Sequence, residues 1–509
     1  MTTKSAQPQA SPQQDLAATG IVGLDDVLGG GFARSHLYLV EGDPGTGKTT
    51  LAIQFLLAGR AKGEVCLYLT LSETADELRL AANSHGWNLD GIHIQEMVPA
   101  DDSILAEAQY TVLPPSEVEL AGSLDAIHAA VTKYCPARVA VDSLSELRLL
   151  AQDTLRYRRQ ILGLKHFFAA RDCTVLLLDD RAGTDRDNQV HSLAHGVLIL
   201  EHLAMEYGAE RRRLRVVKYR AQRYRGGNHD FAIRTGGLAV YPRLVPSEHD
   251  HAFNQRKLPS GSAAMDQLIG GGLDAGATTL ILGPPGVGKS VLATKYCRSA
   301  ADRGEPVAIW NYDESTALFR ERARQVGLSL DGHLATGLIR SYQVDPSALS
   351  PGEFAHRVVE DVESRDVKVL LIDSLNGYLN AMPDEKLLDI HLHELFGFLA
   401  QRGVLTLVTL AQRGFFGASM GGDQQTDLSY LADTVLLLRY FEAEGEVHKA
   451  ISVMKKRSGP HETTIREFRV GPPEGLVVGE PLRHFRGVLT GVPVFVGEKP
   501  RAGPSDESR

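Results

Sequence analysis

GDPGTGKTT occupies residues 42–50 and GPPGVGKSV residues 283–291, and each fits G-x-x-x-x-G-K-[ST], the P-loop pattern. Glycine, lysine and hydroxyl must all fall at fixed places, so two full matches in one chain are a specific signal. Each follows an apolar run (Leu37–Val40; Thr279–Leu282) and precedes a helix-like run (Leu51–Ala58; Val291–Cys297). Strand, loop and helix are the context in which backbone N–H groups and a helix N-terminus can cradle phosphate oxygens.

Working outward from the two loops, the chain repeats itself. TGIVGLDDVLGGGF (19–32) resembles SGSAAMDQLIGGGL (260–273), RVAVDSLSEL (138–147) parallels KVLLIDSLNGY (368–378), and RVVKYRAQ (215–222) parallels SVMKKRSG (452–459). Lys48 and Lys289 stand 241 residues apart, Asp142 and Asp373 231, Lys218 and Lys455 237. Two copies of this length mean a duplicated globular domain and not a solenoid, which needs at least three short repeats. The expected layout is a first domain over 16–246, a polar linker over 247–260, and a second domain over 261–496.

Within the first half, strands are expected at Leu37–Val40, Val65–Leu69, Val139–Val141, Val175–Leu178, Val197–Leu200 and Leu214–Val217, with helical patterns between them. The inner strands are unbroken Val/Leu/Ile runs, as in a parallel sheet covered on both faces. The fold class that follows is α/β: two tandem RecA-like P-loop NTPase domains, each a mostly parallel, doubly wound sheet with its ligand at the C-terminal strand ends.

Composition narrows the setting. A net charge of −9 over 509 residues gives no general pull toward nucleic acid or an anionic membrane. The four cysteines, Cys66, Cys135, Cys173 and Cys297, form no metal-ligand spacing and read as reduced thiols. No apolar stretch of ~20 residues suggests a bilayer span, and a cytoplasmic protein is expected. The polar, Pro/Gln-rich residues 1–15 and the stretch 497–509 read as disordered tails.

The site chemistry can be assigned residue by residue. Nucleotide contacts fall on Gly42, Asp43, Pro44, Gly45, Thr46, Gly47, Lys48, Thr49 and Thr50 in one loop. In the other they fall on Gly283, Pro284, Pro285, Gly286, Val287, Gly288, Lys289, Ser290 and Val291. The two lysines reach the β/γ-phosphates of ATP, and Thr49 and Ser290 offer hydroxyls to Mg²⁺. Asp142 and Asp373 each end an apolar strand, where a Walker B aspartate ties down Mg²⁺ or its water; the alternative role there is a helix cap. After the second strand, LTLSET (69–74) and WNYDES (310–315) present Glu73 in one half and Asp313 with Glu314 in the other. A carboxylate here can polarise an attacking water or hydroxyl, or it can cap the next helix. Ser72 stands where the first acid of the pair would be.

Residues 211–225, RRRLRVVKYRAQRYR, carry eight positive charges, and Lys455, Lys456 and Arg457 hold the matching place in the second half. Leu214, Val216, Lys218 and Arg220 are expected to alternate onto one strand face. Three roles compete: a Lys/Arg finger into a neighbour's γ-phosphate site, a nucleic-acid groove, and a charged edge strand that resists aggregation. The first is favoured, and the acidic net charge counts against nucleic acid.

The ordered set of paired motifs resembles the KaiC family of circadian-clock ATPases and kinases, over about Leu16 to Val496. The resemblance implies an ATP-dependent homohexamer of two stacked rings with nucleotide between adjacent subunits. It implies a first ring that is mainly an ATPase and a second that is a serine/threonine autokinase. Lys218, Arg220, Lys455 and Arg457 match the residues that reach into the neighbour's site. The family's adjacent Ser and Thr phosphosites fall on TDLSYLADTVLLL (426–438), where Ser429 matches the serine and Tyr430 replaces the threonine. Asp313 replaces a glutamate. The C-terminal tail after Arg486 matches the family in outline through GVLTGVPVFV (487–496) and then ends in GEKPRAGPSDESR; in the family's clock members this tail is where an activating protein partner acts. A nucleotide-switched hexameric scaffold without kinase output and a RecA-like DNA-stimulated ATPase are the alternative readings.

Overall fold

The computed structural model describes residues 15–97, 115–181, 188–204, 208–248, 253–345, 347–380, 388–411, 428–489 and 494–496. The expected tails, apart from Asp15, lie outside the described residues, as do residues 426–427 and 490–493. The chain divides into two compact units, Met1–Arg243 and Leu244–Arg509. The second unit takes in Lys257–Leu258, which pairs with Leu273–Asp274.

Among the described residues, the first unit is built on a nine-stranded sheet. Its order is Ile92–Glu96, Cys66–Thr70, Arg138–Asp142, Thr174–Asp180, Leu37–Gly42, Gly196–Leu203, Arg211–Tyr219, His229–Arg234, Gly237–Tyr241. The first six strands run parallel and the last three continue the sheet antiparallel. The second unit repeats this plan: Ile339–Gln343, Val307–Asn311, Val369–Asp373, Leu405–Ala411, Thr278–Gly283, Thr434–Ala443, Glu446–Lys456, Arg466–Gly471, Gly475–Pro481. Two tandem RecA-like α/β domains are thus the architecture.

The inner strands carry apolar side chains on both faces because both faces are covered. Val40, Leu56 and Tyr68 pack on one side of the first sheet, and Leu39, Leu69, Val141 and Ile161 on the other. Each such burial stabilises the fold by roughly 1.5–3 kcal/mol. Arg138, fully buried, is held by Glu64 and by the carbonyls of Ala18 and Phe55. The parallel strands end on one edge, which gathers the P-loop, the Walker B aspartate and the acid after the second strand.

One expectation fails. Lys218 and Arg220 do not share a face with Leu214 and Val216. Leu198 pairs with Val216 but Val197 pairs with Lys218, so Val217 is an extra residue in a β-bulge. The bulge reverses the alternation: Tyr219 joins Leu214 and Val216 in the core, and Lys218 turns to the other face. The second unit has the same bulge, with Leu436 opposite Val453 and Val435 opposite Lys455. The last predicted strand is also antiparallel to its neighbour and longer than expected, Arg211–Tyr219.

Candidate nucleotide sites

Each P-loop leaves its strand at a buried glycine, Gly42 or Gly283, and enters its helix through Gly47 or Gly288. Those entry glycines have φ of 100° and 121°, and a Cβ on Gly47 would lie 2.5 Å from Ile233 Cδ1. Only glycine allows this backbone and this approach. The loop crests, Asp43–Gly45 and Pro285–Gly286, face solvent, while Thr46 and Val287 point inward and anchor them. The helices Lys48–Ala61 and Lys289–Asp302 then begin with the lysine itself.

Both lysines are buried and folded back over their loops. Lys48 Nζ donates to the carbonyls of Gly42 (2.8 Å) and Asp43 (3.1 Å), and Lys289 Nζ to those of Gly283 (2.9 Å) and Pro284 (3.0 Å). Burial pushes the Lys289 ammonium below its ordinary range, with Asp373 and Asp313 acting the other way. Lys48 has an additional partner, Asp180 Oδ1 at 2.7 Å. The matching position in the second unit is Ala411, the last residue of the corresponding strand.

The helix hydroxyls and the strand-end carboxylates meet in both units. Thr49 Oγ1 donates to Asp142 Oδ2 at 2.9 Å, and Ser290 Oγ donates to Asp373 Oδ1 at 3.1 Å. The peptide bond after each aspartate is cis. A second hydroxyl anchors each carboxylate, from opposite neighbouring strands: Tyr68 OH to Asp142 Oδ2 at 2.6 Å, and Thr409 Oγ1 to Asp373 Oδ1 at 2.5 Å. These oxygens suit Mg²⁺, which takes one or two protein ligands and completes its shell with phosphate and water. One hydroxyl and one carboxylate beside a phosphate cradle fit that requirement at both sites.

Neither glutamate after the second strand caps its helix. Thr74 accepts from Glu77 N and forms a capping box with Glu77, and Ser315 accepts from Leu318 N. Glu73 is half-buried, and its backbone is pinned by Thr70. Burial, with Asp142 and Glu77 nearby, raises its carboxyl above the usual glutamate range. Ser72 is exposed beside it. In the second unit Ser374 donates to Asp313, and Glu314 is paired with Arg322, which also lies 3.7 Å from Asp373 Oδ2.

The basic residues reach corresponding main-chain carbonyls in both units, and Arg457 adds a carboxylate partner. Lys218 Nζ donates to the carbonyls of His191 (2.6 Å) and Ala194 (2.8 Å), and Arg220 to that of Ser192 (2.9 Å). Lys455 Nζ donates to the carbonyl of Ser429 (3.0 Å), and Arg457 to that of Tyr430 (2.8 Å) and to Asp433 (3.1 Å). Burial and the nearby cations Arg220 and Lys165 push Lys218 below its ordinary range. Much of the remaining charge in 211–225 is met within the unit: Arg212 by Glu210, Arg213 by Asp230, Arg215 by Glu201, and Arg225 by the carbonyl of Arg243. Ser429 sits on the 3-10 turn Leu428–Leu431, partly exposed, with Tyr430 about half exposed next to it.

Tyr68, Asp180, Arg322, Ser374 and Thr409 were not legible as site residues. Tyr68 and Thr409 sit inside apolar strands, Asp180 two residues beyond its expected strand, and Arg322 seven residues into a helix with several arginines. A signal existed only for Asp180, one of two acids closing a strand next to the P-loop strand.

A family model described as "ATPase: KaiC" matches residues 17–245 and 258–483. Similar proteins named "Circadian clock oscillator protein KaiC" occur in Thermostichus vulcanus, Synechococcus elongatus and Prochlorococcus marinus. The first is 26% identical over 98% of this chain and 97% of its own length. The second is 26% identical over 94% and 92%, and the third 26% over 99% and 100%. No helix among the described residues is long and apolar enough to cross a membrane.

Proposed function

This chain belongs to the KaiC family of ATPases, and from that premise we propose a Mg²⁺-dependent ATPase at both P-loop sites whose second site also phosphorylates Ser429. The protein acts as a homohexamer of two stacked rings, with nucleotide between adjacent subunits, and serves as a signalling or clock component. The relatives' names support the last clause. The observation that carries the nucleotide reading is the duplicated set of buried lysine, helix hydroxyl and strand-end carboxylate, with matching contacts in both units.

The residues divide the work as follows. Lys48 and Lys289 turn from their loop carbonyls to the β/γ-phosphate oxygens, where the loop N–H groups also point. Mg²⁺, when bound, supplies positive charge to the same oxygens, with Thr49 and Asp142, or Ser290 and Asp373, as its protein ligands. Glu73 holds the attacking water of the first site and accepts its proton. In the second site Asp313 and Glu314 receive the hydroxyl of the adjacent subunit's Ser429, because within one chain three strands separate the strand that ends beside the acids from the strand that Ser429 precedes. The Ser429 Oγ–phosphorus bond forms, the bond from phosphorus to the leaving oxygen of ADP breaks, and the serine proton passes to the acid pair. Lys218 and Arg220, with Lys455 and Arg457, extend toward the neighbouring subunit's γ-phosphate and offset the charge that develops there. A protein partner acting at the C-terminal tail after Arg486 belongs to the same proposal.

Incubation with Mg²⁺ and γ-labelled ATP, followed by phosphosite mapping, tests this reading. Label on Ser429 that disappears in Ser429→Ala and in Lys289→Ala supports an autokinase. Phosphate release without label leaves the second reading, an ATP-driven assembly without kinase output. The Arg322–Glu314 pair is the observation that favours that second reading.

A further inference from the structure

Arg322 lies on the helix Thr316–Gln325, and its guanidinium spans two carboxylates of the second site. It pairs with Glu314 and lies 3.7 Å from Asp373 Oδ2, and it stacks over the Phe319 ring at 5.4 Å from the centroid. Ser290 and Thr409 both donate to Asp373 Oδ1. Oδ2 is therefore the oxygen turned toward Arg322. The corresponding helix of the first unit, Ala75–Ser84, is capped by Thr74 as this one is capped by Ser315. Seven residues past the cap it carries Ala81, so the first site has no cation from that position.

We propose that Arg322 is a positioning residue that acts as an internal counter-cation of the second site, holding the Asp373–Glu314 carboxylates until metal-bound nucleotide displaces it. This rests on the nucleotide reading given above and adds a difference between the two sites. A guanidinium and a hydrated Mg²⁺ are attracted to the same carboxylate charge, so each weakens the other's binding. While Arg322 holds Glu314, that carboxylate is also withheld from the proton of an incoming hydroxyl. The second site then requires more Mg²⁺ than the first before it closes on nucleotide. The side chain is one-third exposed, which gives it a path toward solvent when displaced.

The test uses the full chain in a Lys48→Ala background, so that only the second site binds. Binding of a fluorescent ATP analogue is followed at fixed concentration while Mg²⁺ is titrated. Arg322→Ala is expected to lower the Mg²⁺ midpoint by about 3–10-fold, the range of one partly exposed charge contact. Arg322→Met, which keeps the packing on Phe319 and removes only the charge, should shift it equally. Arg320→Ala, which removes an arginine paired instead with Asp331, should leave the midpoint in place. Mg²⁺-dependent binding with the same midpoint in Arg322→Met as in the parent overturns this inference alone. An absence of Mg²⁺-dependent binding in the Lys48→Ala parent overturns the nucleotide reading of the second site and this inference with it.

Discussion

Lys455 Nζ donates to the main-chain carbonyl of Ser429 at 3.0 Å, and Lys218 makes the same bond to His191 at 2.6 Å. Each acceptor lies six residues before the strand residue that faces the lysine across the bulge, Val435 or Val197. The proposed acceptor segment and the proposed finger are thus wired together in one unit. In the first unit the equivalent place holds His191, whose Nε2 meets Glu41 at 2.8 Å, so that copy presents an imidazole where the second presents a hydroxyl.

Lys455→Ala should therefore lower label on Ser429 through two routes, loss of a cation and loss of the grip on the segment. A drop of at least ~10-fold is expected, in line with the loss of one charge-assisted contact at a reacting phosphate. Lys218→Ala should leave Ser429 labelling within about 2-fold of the parent when the two units act separately. Quantitative mass spectrometry of the Ser429 peptide reads both. Equal losses in the two variants would break the assignment of Lys455 to the second site alone.

Glu73 gives a pH dependence whose sign is fixed by its surroundings. A base must be ionised to take a proton, and burial with Asp142 nearby holds this carboxyl protonated to a higher pH than an ordinary glutamate. First-site hydrolysis, measured in a Lys289→Ala background, should fall as pH drops through that raised value, sooner than solution glutamate chemistry would give. Glu73→Gln should reduce the rate by about 10²–10⁴-fold and remove the acid limb. An acid limb that persists in Glu73→Gln would assign it to another group.

Much of the fold was readable because each determinant was local. The P-loop glycines, the apolar strands and the Asp-Ser that closes the Walker B strand each announce a backbone state in a few consecutive residues. The bulges at Val217 and Met454 were not readable, because strand alternation assumes a regular ladder and an extra residue reverses the face without altering composition. The second-hydroxyl anchors escaped for a related reason. Tyr68 and Thr409 reach their aspartates across a strand pair, and no spacing rule connects residue 68 to 142 or 409 to 373.

Those anchors predict site-specific damage. Tyr68→Phe removes a donor to Asp142 and should raise the Mg²⁺ requirement of the first site, and Thr409→Val should do the same to the second. The loss of one hydrogen bond to a charged group is worth about 1.5–3 kcal/mol, or roughly 10- to 150-fold at most in the affected equilibrium. Mg²⁺ titrations of each variant, with the other P-loop lysine replaced by alanine, separate the two effects. A Tyr68→Phe defect seen at the second site would show that the two nucleotide centres are coupled.

The Lys48–Asp180 pair makes a prediction of opposite sign. Nucleotide must draw Lys48 away from a carboxylate 2.7 Å distant, and that carboxylate then lies near the incoming phosphates with like charge. Both effects oppose binding, and neither arises at the second site, where Ala411 takes the position. Asp180→Asn keeps the shape and removes the charge, so the first site should bind ATP about 2–5-fold more tightly, the scale of one partly screened charge contact. Calorimetric or fluorescence titration in a Lys289→Ala background measures this directly. Weaker binding in Asp180→Asn would reverse the interpretation, because it would mean that Asp180 holds Lys48 in the orientation that nucleotide uses. The two sites would then differ in how their lysine is aimed, and the carboxylate would count as part of the cradle.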